Sequence, residues 1–373
     1  MSNTCRPTFA EIDLNAIAHN INEIKAKVAP AHVMAVVKAN AYGHGAVPVA
    51  KMALENGAGY LGVALVEEGI ELRDADIPAA ILVFGGFFEH QVAAFLEYDL
   101  DATVFDLKRA AVLSNAAIKA GKSVGVHVKV DTGMGRMGLA WQDAVGFVQE
   151  ISELKGLNLV GVYTHFATSD AKDKRFAREQ LQRFQSVISG LDAAGVRIPL
   201  KHAANSGAIL DLPEASLDMV RAGVALYGYY PSTETTESIA LKPAMSLKSQ
   251  VVDVKDISAG GSVSYGLTFE AKEDTQIGVI PVGYADGYNR LLSNQGEVLI
   301  RGRRCPVAGR VCMDEIMVNL GLGSGVRVGD EVVLLGPQGG DEITIYEICE
   351  RLDTIPYEVT CWISQRVPRE HTN

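Results

Sequence analysis

The sequence predicts an α/β protein: a (β/α)8 TIM-type barrel followed by a second, mainly antiparallel β domain. Three observations lead there. Continuous apolar runs alternate with helix-period stretches over the first two thirds of the chain, the pattern of a parallel sheet covered on both faces. Eight such runs fit in roughly 200 residues without a long structureless gap, as a closed barrel requires. A glycine-rich fingerprint after the first run, which an open doubly wound sheet would carry, is missing.

In order, the apolar runs are 33–38, 60–66, 80–85, 102–105, 123–131, 159–166, 200–205 and 219–226. Helical stretches fall between them at 46–55, 66–74, 89–98, 107–120, 143–154 and 174–194. Near Pro231 the texture changes. From Leu241 onward, segments such as SLKSQVVDVKDI, TQIGVIPVGYADG, EVLIRGRRCPVAG and RVGDEVVLLG alternate apolar and polar residues between Gly and Pro clusters, which predicts antiparallel strands. One helix is expected there, over 345–352, opened by a capping box of Thr344 and Glu347. The barrel is expected over 10–236 and the β domain over 237–373; the opening segment 1–9 can pack with the β domain, and the strand 9–14 with either.

Composition narrows the function classes. The 373 residues carry a net charge of −11, which argues against a nucleic-acid-binding face or a polybasic membrane surface. No apolar run approaches the ~18 residues of a membrane span, and the N-terminal MSNTCRPTFAEIDL has no apolar core of a signal peptide. Five scattered cysteines (Cys5, Cys305, Cys312, Cys349, Cys361), never spaced C-x-x-C, fit reduced thiols in a cytoplasmic protein. No metal site is expected.

In such barrels chemistry belongs to the loops after the strands. The first run ends in Lys38 and Asn40, the fifth in Lys129 and Asp131 followed by Arg136. The sixth ends in His165, the seventh in His202, Asn205 and Ser206, and the eighth carries Arg221 and Gly223. A ligand should therefore sit toward the first and the last four strands. Lys38 follows five mostly aliphatic residues; loss of hydration there favours the neutral, nucleophilic amine that Schiff-base chemistry requires. A strand-end lysine that snorkels to water is the ordinary alternative. Ser206-Gly207 and Gly223 stand where phosphate binds in many of these barrels, although a helix cap and a packing glycine would look alike. Together, a buried amine and a phosphate cradle point to pyridoxal phosphate, with a class I aldolase acting on a sugar phosphate as the competing enzyme.

The segment AVVKANAYGHG, at 35–45, resembles the cofactor-lysine signature of the alanine racemases, a fold-type III pyridoxal-phosphate family. The resemblance continues in order through VDTGMGRMGL (130–139), YTHFATSD (163–170), HAANSGAIL (202–210), VRAGVALYG (220–228), VSYGLTF (263–269), PVGYADGYNR (281–290), VCMDEI (311–316) and PYEVTCWISQRVPR (356–369). It implies interconversion of L- and D-alanine by two-base proton transfer, supplying D-alanine for peptidoglycan. Lys38 would hold the cofactor and act on the D-enantiomer, and Tyr265 would act on L-alanine from the opposite face. A phenol with a pKa near ~10 needs nearby positive charge to serve as a base; Arg221 acting through His165 is the implied source.

The same resemblance places Tyr42, Ser206, Gly223, Val224 and Tyr357 around the phosphate, and His165 and Asn205 near the ring. Arg221 would face the pyridine nitrogen, and Arg136 would touch the phenolic oxygen and the substrate carboxylate. Lys129 corresponds to a lysine often carbamylated in the family. Met313 corresponds to a loop supplied by a partner subunit, which implies a homodimer with shared active sites. Tyr284 and Tyr357 would narrow the entrance to admit a methyl side chain. The rivals are a broader-specificity amino-acid racemase on the same scaffold and a non-catalytic pyridoxal-phosphate carrier protein. Such carriers lack the β domain, so Tyr265 speaks against the second.

Overall fold

A computed structural model describes residues 6–373. The chain divides into two compact units, one running from Ala16 to Pro243, the other joining the residues up to Asn15 with Ala244–Asn373.

The first unit is the barrel. Its strands are β1 (His32–Val36), β2 (Tyr60–Val63), β3 (Ala80–Val83), β4 (Asp101–Val104), β5 (Val124–Asp131), β6 (Leu157–Tyr163), β7 (Leu200–His202) and β8 (Met219–Ala222). They pair in parallel in the order β8-β1-β2-β3-β4-β5-β6-β7. Backbone bonds from Arg221 N to Ala204 O (2.9 Å) and from Asp218 N to Lys201 O (3.1 Å) join the two ends, so the ring is nearly closed.

Helices cover the outside. Arg175–Ala193 buries Ala177, Leu181, Phe184, Val187 and Leu191, spaced three and four apart along one face. Leu107–Ala120 starts at Asp106, whose carboxylate accepts the Arg109 N–H at 2.8 Å, and ends at Gly121 in the left-handed conformation.

Inside, Met34, Tyr60, Leu82, Tyr163 and Met219 form a buried cluster with Phe84 and Leu200 packed against it. Successive side chains of a strand point to opposite faces. Counting in twos from these residues, the inward positions include Lys38, His165 and Arg221; contacts with the Tyr60 hydroxyl bring in Asp101 and His127, and the Tyr163 ring brings in Lys129. The polar residues picked out above thus share the lumen with its apolar filling.

The second unit is mainly antiparallel. One sheet runs Arg303–Pro306, Glu297–Ile300, Glu331–Gln338, Met245–Gln250, Phe9–Asp13 and Arg369–Thr372, the last pair parallel; Asp341–Ile343 adds to Glu331–Gln338. A second sheet pairs Asp253–Ile257, Thr275–Ile280 and Ile316–Asn319. Helix Ile345–Leu352 has the expected capping box: Thr344 Oγ accepts the Glu347 N–H at 3.2 Å, and Glu347 accepts the Thr344 N–H at 3.1 Å.

The division falls later than 10 and 236, for a visible reason. Residues 9–13 pair with Met245–Gln250, which commits the opening strand to the β unit. Residues 237–243 stay with the barrel: Asn20 bonds both Lys242 O and Lys242 N at 2.8 Å, His19 Nε2 meets Ala240 O at 2.7 Å, and Ser238 donates to Leu210 O. Two helices fall outside the sequence expectation, Leu14–Val28 and Pro356–Trp362. The second spans seven residues rich in aromatic and β-branched side chains, too short to show a period. Among the described residues no helix is long and apolar enough to cross a membrane. Cys305 and Cys349 are buried thiols, and Cys5 lies outside the described residues.

Candidate active site

Lys38 leaves the end of β1 on an unusual turn. Ala39, Asn40, Ala41 and Tyr42 all hold φ near +52°, a left-handed path that disfavours L-residues by roughly 1–2 kcal/mol each. The local sequence supplies the restraints. Glu68 takes the Ala39 N–H on one carboxylate oxygen (2.5 Å) and the Ala64 and Leu65 N–H groups on the other (2.7 and 3.1 Å). Asn40 Oδ1 accepts the Ala46 N–H at 2.8 Å, and His44 Nδ1 lies 3.0 Å from both the Ala41 and Tyr42 carbonyls. The turn brings the Tyr42 ring under the amine, with Lys38 Nζ 5.9 Å from its centroid.

At the same mouth, the ends of β7 and β8 build a small cradle of hydroxyl and backbone groups. Ser206 Oγ accepts the N–H groups of Gly223 (3.1 Å) and Ala225 (3.2 Å). A Cβ added at Gly223 would lie 3.2 Å from the Tyr42 hydroxyl and 3.4 Å from Ser206 Oγ. Two hydroxyls and a bare backbone therefore converge on one small space that a side chain would fill. The buried Val224 continues the same loop. Tyr42 is held by Tyr227, ring centroids 4.9 Å apart, and Tyr227 in turn donates to Val36 O at 2.8 Å. Asn205 caps the next helix: its Oδ1 accepts the Ala208 N–H at 3.2 Å and the Ser169 hydroxyl at 2.6 Å.

The third element is a buried cation. Arg221, 3% exposed, donates to the carbonyls of Thr164 (2.8 Å), Ala203 (2.9 Å) and His202 (3.1 Å), and lies against His202 Nδ1 (3.1 Å) and His165 Nδ1 (3.3 Å). Burial lowers its pKa to about 10, which leaves it charged at neutral pH. Burial first, then the charges of Arg221, Lys129, Arg136 and Lys38, hold His165 well below the ordinary imidazole value, so the ring is neutral. Lys129 is 6% exposed, and burial together with Arg221, Arg136 and Lys38 lowers its amine to about 7.

Within the barrel, then, Lys38, Tyr42, Lys129, Arg136, His165, Asn205, Ser206, Arg221, Gly223 and Val224 all belong to strand ends or the loops that follow them. Tyr265, Met313 and Tyr357 belong to the β unit. Tyr265, Met313 and Tyr284 are 73%, 52% and 42% exposed. Their loops are tied together by Ser264 Oγ to Arg310 O (2.7 Å), Tyr284 N to Cys312 O and Ala285 N to Met313 O (both 3.0 Å). Tyr357 sits half-buried on helix Pro356–Trp362.

Sequence inspection missed Tyr163, which is buried with its phenol pushed up to about 12 by burial. It stacks on His202 (4.8 Å, 11°) beneath the Lys129 and Arg221 cations, 5.1 and 5.4 Å from its ring. Its place two residues before His165 on an inward register was the available signal.

Fold and site together define a barrel enzyme with a strand-end amine, a small hydroxyl-lined space and a buried cation at one mouth. The sequence of the barrel matches the family described as alanine racemase, N-terminal domain, over residues 12–231, and the remainder matches alanine racemase, C-terminal domain, over 244–371. Alanine racemase 2 of Caldanaerobacter subterraneus subsp. tengcongensis is 50% identical over 371 residues, covering 99% of this chain and 96% of that protein. The alanine racemase of Halothermothrix orenii is 47% identical, with 99% and 97% covered. A solved alanine racemase from Clostridium difficile 630 superposes with a TM-score of 0.95 at 40% identity, over 99% of this chain and 97% of that one. The chain belongs to the alanine racemase family.

Proposed function

We propose that the protein uses pyridoxal phosphate to interconvert L- and D-alanine by two-base proton transfer, as a homodimer with shared sites. In the cytoplasm this reaction supplies D-alanine for peptidoglycan. The observation that carries it is the convergence of Lys38, the Tyr42–Ser206–Gly223 cradle and the Arg221 cation on one rim of the barrel.

The cradle fits the cofactor's phosphate, because Gly223 leaves open the space that the Tyr42 hydroxyl and Ser206 border. Ser206, Gly223, Val224, Tyr42 and Tyr357 would hold that phosphate, Asn205 and His165 the ring, and Lys38 the aldehyde carbon. When bound, pyridoxal phosphate supplies the electron withdrawal that makes the α-proton of an amino acid acidic.

The rest falls to the chain's own groups. Lys38 Nζ takes or returns the α-proton on one face. The Tyr265 hydroxyl of a second copy serves the other face, which is why it stands on an exposed loop beside Met313 and Tyr284. Arginine is donor-only, so the contact with Arg221 makes His165 Nδ1 an acceptor and places the proton of the neutral ring on Nε2. That N–H is the donor that can stabilise a Tyr265 phenolate. Arg221 also brings no carboxylate to the ring nitrogen, which limits electron withdrawal and favours return of the proton over transamination. Arg136 receives the substrate carboxylate, and a carbamylated Lys129 would hold Arg136 in place.

The test is circular dichroism of L-alanine, D-alanine, serine and lysine solutions incubated with the purified protein and pyridoxal phosphate. Both alanine enantiomers should converge on zero signal, with serine and lysine far slower. Alanine solutions that keep their rotation would end this assignment.

A further inference from the structure

Behind Arg221, a chain of polar side chains runs through the barrel to its opposite rim. His202 Nδ1 lies 3.1 Å from Arg221 Nη1, and His202 Nε2 lies 3.0 Å from His127 Nδ1. His127 Nε2 lies 3.1 Å from the Tyr60 hydroxyl, which donates to the Asp101 carboxylate. Both histidines are fully buried. Tyr60 and Asp101 are the first residues of β2 and β4, at the rim where residues ordinarily serve stability.

Proton placement along this chain has one solution. Arg221 has no acceptor, so His202 Nδ1 must accept and the His202 proton lies on Nε2. His127 Nδ1 must then accept, which puts its proton on Nε2, toward Tyr60. Tyr60 accepts that bond and passes its own proton to the Asp101 carboxylate, a group that accepts only. A donor-only cation at one end and an acceptor-only anion at the other fix every tautomer between them.

The barrel is shaped around this chain. A Cβ at Gly161 would overlap the His127 imidazole, and one at Gly125 would overlap the Asp101 carboxylate. Tyr163 stacks face to face on His202. Among the described residues no carboxylate touches Arg221 directly; its partners are carbonyls and imidazoles. Asp101 is the anion coupled to it, through three side chains that polarise one another.

We infer that Asp101, Tyr60, His127 and His202 form a one-way hydrogen-bond relay that orients Arg221 and balances its charge from the far rim, making them positioning residues for the reaction. The inference rests on the racemase reading for its catalytic consequence, but not for the relay itself.

Two measurements test it separately. Neutron crystallography of the perdeuterated protein, as purified, should show one deuteron on each ring, at Nε2 of both His127 and His202. A deuteron on Nδ1 of either ring overturns the relay whether or not the protein racemises alanine. In the loaded enzyme, Tyr60→Phe and Asp101→Asn should lower kcat for alanine about tenfold, the scale of one lost charge-assisted bond. KM should stay within about twofold, and the ratio of transamination to racemisation should rise several-fold. Ser114→Ala, which removes a buried hydroxyl bonded to Lys155 O outside the relay, should leave that ratio unchanged. An unchanged ratio and kcat in Tyr60→Phe and Asp101→Asn, or an equal change in Ser114→Ala, would reduce the chain to core packing. If wild-type protein leaves alanine untouched, the racemase reading fails while the neutron result still decides the relay.

Discussion

Lys129 should carry a carbamate. It is 6% exposed, and burial with the charges of Arg221, Arg136 and Lys38 brings its amine from 10.5 to about 7. At pH 7 half of the population is then neutral, against about 0.03% for an unperturbed lysine, an enrichment of roughly 10³ in the form that attacks carbon dioxide. The neutral amine nitrogen bonds the carbon of CO2 and loses one proton to give the carbamate; counted from the ammonium form two protons leave, so a cation becomes an anion. The charges that oppose an ammonium at this position favour a carboxylate, and Arg136 gains a partner. The sign of the pH dependence follows: the amine is depressed, so modification should rise as pH climbs through about 7 and vanish well below it. Carbon-13 NMR of protein equilibrated with labelled bicarbonate should show a protein-bound carbonyl resonance at pH 8 that is missing in Lys129→Ala. No such resonance under excess bicarbonate, or one that survives the substitution, would refute the reasoning.

Two further perturbations follow from the same geometry. Gly223→Ala puts a methyl 3.2 Å from the Tyr42 hydroxyl and 3.4 Å from Ser206 Oγ, inside the proposed phosphate space; absorbance titration of the apoprotein should show pyridoxal phosphate affinity at least about tenfold weaker, the loss of one bond to a charged group. His202 is fully buried, and burial first, then Arg221, keeps its pKa well below 6.5. Below that value the unfolded chain binds a proton that the native ring refuses, so stability falls with pH by about 1.4 kcal/mol per unit from this residue. Urea unfolding between pH 5 and 6.5 should show a slope shallower by about that amount in His202→Gln, and equal slopes would contradict it.

The barrel was legible because parallel strands buried on both faces read as apolar runs. The expected helices at 46–55, 66–74, 107–120 and 345–352 coincide with those observed, since each carries a clear period or cap. The domain limits were not legible. Residues 237–243 look like linker, yet their carbonyls and N–H groups are taken up by Asn20 and His19, a contact over 220 residues that no local pattern announces. At the site, Lys38 stood out because a charge closes an aliphatic run, and Arg221 because a charge interrupts one. Tyr60, Asp101 and His127 did not, because a lone polar residue at a strand's start or middle looks like an ordinary core or rim position until its neighbours are known. The left-handed turn at 39–42 was equally hidden: Ala-Asn-Ala-Tyr carries no glycine to mark it.

Isotope exchange tests the two-base account most directly, using L-alanine and D-alanine separately in deuterated water with native protein and with Tyr265→Phe. The account predicts that native protein delivers product carrying solvent deuterium at the α-carbon. Tyr265→Phe should leave the α-proton of L-alanine in place, while Lys38 still exchanges that of D-alanine without inverting it. Racemisation by Tyr265→Phe in which the product keeps the substrate's own proton would show a single base reaching both faces, and the account would be wrong.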